Sequence, residues 1–255
     1  MEIFESHAHY DDERFDEDRD ELIDSLKDEG ILKVISAGYS KQGSINSVEL
    51  ANKYDFFYAT VGISPNDLED TYLEDMKYIE ELLQSNNHKI IAVGEIGLDY
   101  HYDTDREIQK EAFIKQIELA NKYDLPIVIH TRDAVMDTLQ ILKDHSVNRK
   151  GVFHCCPFNR ELVKEALKLG FYISFSGTVT FKNAKNAEEI VQMVPNDKFF
   201  VETDSPYLAP EPVRGHRNDS RNLKYIIKKI SEFKNLPEES IAAMSFENVK
   251  NLYKI

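Results

Sequence analysis

The sequence alternates short apolar runs with longer, charged amphipathic stretches, and this rhythm constrains the fold more than any other feature. The eight apolar runs that read as strands are residues 2–7, 32–37, 56–62, 90–95, 126–130, 151–154, 171–175 and 199–203. Helical patterns lie between them, for example at residues 16–29, 105–123 and 160–170. Eight strands alternating with helices over 255 residues predict an α/β fold: a single-domain (β/α)8 TIM barrel over residues 1–255.

An open, doubly wound α/β sheet is the alternative architecture. Such a sheet usually carries a Gly-rich turn after its first strand, but SHAHYDD stands at that place here. The final stretch, residues 238–255, has an apolar face at helical spacing and is expected to pack on the barrel. The barrel is therefore the prediction.

Composition narrows the class of protein. No run approaches the roughly 18 apolar residues of a membrane-spanning helix, so no membrane partner is expected. The first residues, MEIFESHAHYDDERFDEDRDE, are acidic, unlike a signal peptide. The two cysteines, Cys155 and Cys156, are adjacent, which is a poor geometry for a structural disulfide. These features predict a cytoplasmic protein, and no obligate protein partner is evident.

Metal-competent side chains cluster at the carboxyl ends of the predicted strands. They are His7, His9, Glu95, His130, His154 and Asp204. Barrel active sites form on that face, so the six should converge. An HxH pair is weak evidence alone, but converging imidazoles and carboxylates need the charge compensation that divalent cations supply.

The alternation of side chains along a strand supports this prediction. Each of these polar residues shares a strand face with an apolar residue, and if the apolar residues fill the barrel core, the polar ones point toward one another above it. The expected partners are Ile3 with Glu5, His7 and His9, Val93 with Glu95, Val128 with His130, Val152 with His154, and Phe200 with Glu202 and Asp204. Four imidazoles and two carboxylates exceed the needs of one ion, so two ions bridged by Glu95 are predicted. Zn, Mn, Fe, Ni, Co or Mg would suit the ligand types.

Charge indicates the kind of substrate. The 31 Lys and Arg against 46 Asp and Glu leave a net charge of −15, which argues against a surface that coats nucleic acid. Two divalent ions and two carboxylates would instead leave the pocket at about +2, or about +1 with a bridging hydroxide, suiting an anionic substrate. If the substrate is a nucleic acid, this charge balance predicts a preference for chain ends and single strands over long duplexes.

The motifs together are specific. ESHAHYD, AVGEIGLDYH, PIVIHTRDA, GVFHC, YISFSG and VETDSPYLAPEPVRGHRN run across nearly the whole chain. With them the sequence resembles the TatD family of metal-dependent deoxyribonucleases, within the amidohydrolase-like barrel hydrolases. The resemblance implies a barrel that binds two or three divalent ions and hydrolyses phosphodiester bonds in DNA.

The resemblance also implies roles for single residues. The six side chains named above would be the metal ligands, and Asp204 would also orient or deprotonate the attacking water. Glu202, two residues earlier, would be the second catalytic residue, supporting the ligands. Arg214 and Arg217, in RGHRN, would belong to a loop that closes over the substrate.

The chain departs from the family pattern at three places. Glu5 stands where the family usually has Asp, and GISPND replaces a loop that usually carries two histidines, with Ser64 and Asn66 in their places. The stretch after His154 is CCPF, where the family usually has a Ser-Gly turn. None of these changes one of the six predicted ligands.

Two other functions remain open from the sequence. One is a metal-dependent hydrolase of a non-nucleic-acid ester or amide on the same barrel. The other is a non-catalytic, nucleotide-binding barrel, against which the complete ligand set argues.

Overall fold

The structure, a computed structural model, describes residues 1–69 and 71–255. Its eight parallel strands pair in chain order. They are β1 (Ile3–Ala8), β2 (Ile31–Ala37), β3 (Phe57–Val61), β4 (Ile90–Asp99), β5 (Ile127–Arg132), β6 (Gly151–Phe153), β7 (Tyr172–Phe175) and β8 (Phe199–Val201). This confirms the predicted (β/α)8 barrel and rules out the doubly wound sheet, in which strand order reverses.

Seven of the helices in the described ranges connect successive strands, and two more follow the last strand. They are α1 (Arg19–Ser25), α2 (Lys41–Lys53), α3 (Tyr72–Gln84), α4 (Arg106–Lys122), α5 (Val135–Asp144), α6 (Arg160–Lys168), α7 (Ala187–Met193), α8 (Leu223–Lys234) and α9 (Glu238–Tyr253). Short 3-10 turns lie at Glu13–Phe15, Gly177–Thr180 and Ser220–Asn222. Of the helices in the described ranges, none has the length and apolar character needed to cross a membrane.

The barrel closes where β1 meets the segment after β8. The amide of Asp204 donates to the carbonyl of His7 (3.0 Å), and the amide of His9 donates to the carbonyl of Ser205 (2.7 Å). This seam brings the first and last members of the predicted ligand set together although nearly 200 residues separate them in the chain.

Two apolar layers hold the barrel. The inner layer contains Phe4, Ile35, Ile91, Val128, Val152 and Phe200, together with Val249, Leu252 and Tyr253 from α9. The outer layer packs the other faces of the strands against the surrounding helices. The last helix thus covers the lower end of the barrel, as its apolar face predicts, and leaves the carboxyl ends of the strands open.

The predicted alternation of side chains holds in some strands and is wrong in others. Val128, Val152 and Phe200 lie in the inner layer, as expected. Ile3 and Val93, however, belong to the outer layer, so they do not share a face with His7 and Glu95. The register of β1 shifts between Glu5 and Ala8, and that of β4 shifts between Val93 and Ile96. Such bulges re-aim side chains beside active sites.

Candidate metal centre

The structure brings all six predicted ligands together at the open end of the barrel, in two adjoining groups. In the first group the Nε2 atoms of His7 and His9 lie 3.3 Å apart. The Oε2 atom of Glu95 is 3.5 Å from the first of these nitrogens and 3.8 Å from the second. Asp204 Oδ1 completes the group, 3.6 and 3.4 Å from the same two nitrogens.

The second group lies on the other oxygen of the same glutamate. Glu95 Oε1 is 2.9 Å from His130 Nδ1 and 3.2 Å from His154 Nε2. These two ring nitrogens are 3.3 Å apart. Each oxygen of Glu95 therefore faces a different pair of imidazoles, which is the arrangement expected of a carboxylate that bridges two ions.

The donor spacing fits divalent cations. Ligands bound to one tetrahedral zinc ion at about 2.0–2.1 Å lie about 3.3 Å from one another. The spacings in both groups, between 2.9 and 3.8 Å, bracket this value. Two imidazoles and two carboxylate oxygens in the first group, and two imidazoles and one carboxylate oxygen in the second, are donor sets that zinc or a similar ion accepts.

Hydrogen bonds fix which ring nitrogen faces each group. His9 Nδ1 lies 3.0 Å from the carbonyl oxygen of Ala37, which can only accept, so this nitrogen carries the proton and Nε2 is free to bind metal. His130 is turned the other way. Its Nε2 lies 2.9 Å from Asp99 Oδ2, and Nδ1 faces the second group. Such outer partners orient metal-binding imidazoles and raise their basicity.

Asp99 belongs to the candidate centre, although the sequence analysis did not single it out. Its fully buried carboxylate accepts the His130 ring N–H and the Asn66 amide at Oδ2, and the backbone N–H of His101 at Oδ1. Burial alone would raise its pKa, but the hydrogen bond from His130 and the two amide donors lower it. Asp99 could have been found from its position four residues after Glu95. The sequence analysis ended the strand at residue 95, however, and the structure extends β4 to Asp99.

Glu202 lies beside one imidazole from each group. His7 and His154 stack at 4.2 Å between ring centroids, and their Nδ1 atoms are buried without a hydrogen-bond partner in the described part of the chain. Glu202 Oε1 lies 3.6 Å from His154 Nδ1, and the three side chains offer polar atoms within 4.8 Å of one another. The buried carboxylate thus sits behind the rings, away from the groups that face the cleft.

Local backbone geometry aims Glu95 into the barrel. Two residues after it, Gly97 has a φ of +141°, and a Cβ at this position would collide with the carbonyl oxygen of His130. Only glycine allows this close approach of β4 to β5 beside the register shift. The GEIG sequence is therefore matched to the bulge that places the bridging carboxylate.

Glu5 supports the seam and not the imidazole rings. Its Oε1 accepts the amides of Thr203 (2.9 Å) and His7 (3.2 Å), and its Oε2 accepts the Thr203 hydroxyl (2.6 Å). Burial raises its pKa to about 8 in spite of these hydrogen bonds, so the carboxyl is largely neutral at pH 7.

Neighbouring carboxylates raise the pKa values of two imidazoles in the metal-free protein. Burial alone would lower the pKa of His9, but the hydrogen bond to Asp204 and the charge of Glu95 raise it to about 9. Burial also opposes protonation of His154, whose pKa Glu95 and Glu202 nevertheless raise. The metal-free centre therefore binds protons where cations are expected.

The two arginines of the RGHRN segment take different places. Arg214 is exposed, and its guanidinium lies 3.8 Å from the ring centroid of Phe181, which lines the cleft above the metal centre. Arg217 instead forms a two-pronged ion pair with Asp18, with both bonds at 2.7 Å. Its contacts tie the segment to the region before α1, and it is not among the described residues that line the cleft.

The cleft has a volume of about 940 Å³ and an unusual balance of charge. Its described walls carry Asp67 besides the predicted ligands, and Arg132 is their one Lys or Arg side chain. The expectation of a pocket at +1 to +2 counted two carboxylates only. Asp67, Asp99 and Glu202 bring the number to five, which two divalent ions would leave at one negative charge before Arg132 is added.

Comparisons with known proteins agree with this geometry. The family model of TatD related DNases matches residues 4–254. YabD of Bacillus subtilis strain 168, named an uncharacterized metal-dependent hydrolase, is 42% identical over 255 residues, covering 99% of both chains. YcfH of Escherichia coli strain K12, with the same description, is 33% identical over 261 residues, covering 100% of this chain and 97% of YcfH.

A solved structure shows the same fold. The TatD homologue YjjV of Escherichia coli K12 superposes with a TM-score of 0.92 at 26% identity, covering 99% of this chain and 98% of YjjV. The family model, the relatives and the paired His and Glu groups also confirm the prediction of divalent metal binding. The chain is thus a metal-dependent hydrolase and belongs to the family of TatD related DNases.

Proposed function

We propose that the protein hydrolyses phosphodiester bonds in DNA, acting on single strands or chain ends with two divalent ions. The proposal rests on the position of the Glu95 carboxylate. Each of its two oxygens faces a separate pair of imidazoles. Paired sites of this kind are typical of enzymes that displace an oxygen at phosphorus. The family of TatD related DNases supports DNA as the substrate class.

In this proposal the six side chains hold the ions. His7, His9 and Asp204 would hold the first ion, His130 and His154 would hold the second, and Glu95 would contribute one oxygen to each. When bound, such ions polarise the phosphoryl group and lower the pKa of water toward neutrality. The outer carboxylates of Asp99 and Glu202 keep the imidazoles in the orientation that binding requires.

Asp204 is proposed as the group that takes the proton of the attacking water. Its side chain is 13% exposed and lines the cleft. Burial would raise its pKa, but the hydrogen bond from His9 and the neighbouring imidazoles lower it, so Asp204 is ionised at neutral pH and can accept a proton. The charge-assisted contact with His9 also orients the carboxylate.

Arg214 is proposed to contact the substrate at the rim, from its place over Phe181. Arg217 would act on the substrate indirectly, because its pairing with Asp18 anchors the loop that carries Arg214. The acidic character of the whole chain, at −15, disfavours the many simultaneous phosphate contacts that a long duplex requires.

A second candidate is hydrolysis of an ester or amide of low charge. The near-neutral charge of the cleft and Asp67 on its wall favour this candidate, because such a cleft gives a polyanion little electrostatic attraction. Both candidates use the same metal centre, so only the substrate separates them.

The test compares a linear single-stranded oligonucleotide with its closed circle and with a duplex of the same sequence. Protein loaded with zinc, manganese or magnesium should cleave the linear strand fastest and lose this activity in chelator. Asp204→Asn should lose turnover by several orders of magnitude, whereas Asp197→Asn, an exposed residue just before β8 at the opposite end of the barrel, should not. Equal rates on circle and line would refute the preference for ends. Turnover of uncharged esters without cleavage of DNA would favour the second candidate.

A further inference from the structure

Three arginine–aromatic pairs surround the mouth of the cleft. Arg132 lies over the ring of Tyr102 at 5.6 Å, Arg14 over Tyr207 at 4.1 Å, and Arg214 over Phe181 at 3.8 Å from the ring centroids. The three rings line the same cleft. Aromatic faces next to cationic groups are the elements with which proteins hold single-stranded nucleic acid.

The first pair combines a free cation with a place in the cleft lining. Arg214 also forms no ion pair among the described residues, but it is not among the described residues that line the cleft. Arg14 is neutralised by two hydrogen bonds of 2.8 Å to the carboxylate of Asp12. Arg132 is exposed, and no carboxylate of the described residues lies within ion-pairing distance of it. It is therefore the cation best placed to hold a substrate phosphate in a cleft whose other charges nearly cancel.

The backbone just before Tyr102 is tied to the metal centre. The preceding residue, His101, donates its backbone N–H to Asp99, the same carboxylate that faces the ring N–H of His130. The His101 imidazole lies 3.5 Å from Asp133 and packs edge-on against Tyr102, at 5.0 Å and 84°. Asp99 thus links the backbone segment that carries Tyr102 to His130, a predicted ligand.

Two of the rings stand on opposite sides of the metal centre. Tyr102 follows β4 and Tyr207 follows β8, and these strands lie across the axis of an eight-stranded barrel from each other. The two tyrosines are 55% and 45% exposed, among the largest exposed apolar surfaces of the described chain. A strand of nucleic acid that crossed the mouth would pass one ring, then the metal centre, then the other ring.

Resting on the proposed function, we propose that Arg132 and Tyr102 form a nucleotide subsite beside the scissile bond. The guanidinium of Arg132 takes the neighbouring phosphate, and the ring of Tyr102 stacks on an unpaired base. Tyr207 receives the base on the other side. The faces of bases inside a duplex are already covered by their neighbours, so this subsite accepts single strands and frayed ends.

The experiment uses Tyr102→Leu, Tyr102→Phe and Arg132→Gln in the full chain. Tyr225→Leu is the control, because this tyrosine lies on α8 beside Lys224 (5.5 Å) and outside the lining of the cleft. The substrates are a single-stranded deoxythymidine hexanucleotide and a hexamer of abasic residues with the same phosphates. The kcat and KM values are measured separately. Stopped-flow quenching of a 2-aminopurine base in the hexanucleotide reports stacking before cleavage.

The wild-type protein should bind the base-containing strand with a KM about a hundredfold below that for the abasic strand, within the range of stacking on two rings. Tyr102→Leu should reduce this difference to about tenfold, the share of Tyr207, and weaken the quenching, and Tyr102→Phe should restore both. Arg132→Gln should raise KM on both strands by about tenfold and keep the preference for bases. Tyr225→Leu should match the wild-type protein.

The failures are distinguishable. Cleavage of both hexamers by the wild-type protein without preference for bases, or with a preference that Tyr102→Leu leaves undiminished, would overturn the subsite and leave the proposed function standing. Absence of cleavage of either hexamer with every divalent metal would overturn the proposed function and the subsite together.

Discussion

Replacement of Asp99 by asparagine tests the division of the centre into two sites. The three groups that bond to the Asp99 carboxylate donate or can donate hydrogen: the His130 ring and the Asn66 amide at Oδ2, and the His101 backbone at Oδ1. An asparagine side chain must direct its own NH2 group at one of these positions. The variant therefore loses at least one hydrogen bond whichever way the amide is turned.

The size of the effect follows from these contacts. With the NH2 group at the Oδ1 position, the variant sacrifices the bond to the His101 backbone but keeps the acceptor for His130. The hydrogen bond from His130 then goes to a neutral amide oxygen instead of a carboxylate and has roughly half of its former strength. Loss of such support for a ligand lowers metal affinity about 10- to 100-fold, or about 1.4–2.7 kcal/mol.

The structure also predicts which site weakens. The other ring nitrogen of His130 faces only the group that contains His154 and Glu95 Oε1. The group of His7, His9 and Asp204 receives no contact from Asp99 in the described structure. Asp99→Asn should therefore weaken one of two sites and leave the other within about twofold.

Titration of the metal-free protein with zinc against a chelator of known affinity measures both sites. Asp103→Asn is the matched control, because this exposed carboxylate lies four residues further along the chain and forms no ion pair or hydrogen bond among the described side chains. Equal weakening of both sites, unchanged binding, or an equal effect of Asp103→Asn would refute the reasoning.

Three further predictions follow from the centre. Glu95→Ala should reduce the bound metal below two ions per chain by elemental analysis and abolish turnover, because both groups lose an oxygen; two ions with normal turnover would show that it is not the bridge. Metal uptake at pH 7 should release protons, because the carboxylates raise the pKa of His9 to about 9 and that of His154 as well; affinity should rise with pH, and an indicator dye in weak buffer would reveal uptake without release. Burial raises the pKa of Glu5 from 4.5 to about 8, so stability present below pH 4.5 is lost as pH rises through 8; Glu5→Gln should flatten this decline in denaturant unfolding of the metal-free protein, and an unchanged decline would contradict it.

The sequence determined the architecture and which six ionisable side chains meet at the mouth of the barrel. Alternating strands and helices in this number close into a barrel, and the carboxyl ends of parallel strands meet at one mouth. Side chains such as His130 and His154 therefore had to converge, whatever the details of packing. Local patterns were sufficient for this because each strand end is recognisable by itself.

Tertiary structure decided how the members are arranged. His7 and Glu95 point into the barrel as the sequence predicted, but their expected apolar neighbours Ile3 and Val93 face the helices, because the strands β1 and β4 are bulged between them. Asp99 became the support of His130, and Arg217 paired with Asp18, 199 positions away. Each arrangement depends on strand register and on contacts between residues that are far apart in the chain. The periodicity of the sequence indicates which face of a strand or helix a side chain occupies. The partner that this side chain contacts depends on the packing of the closed barrel.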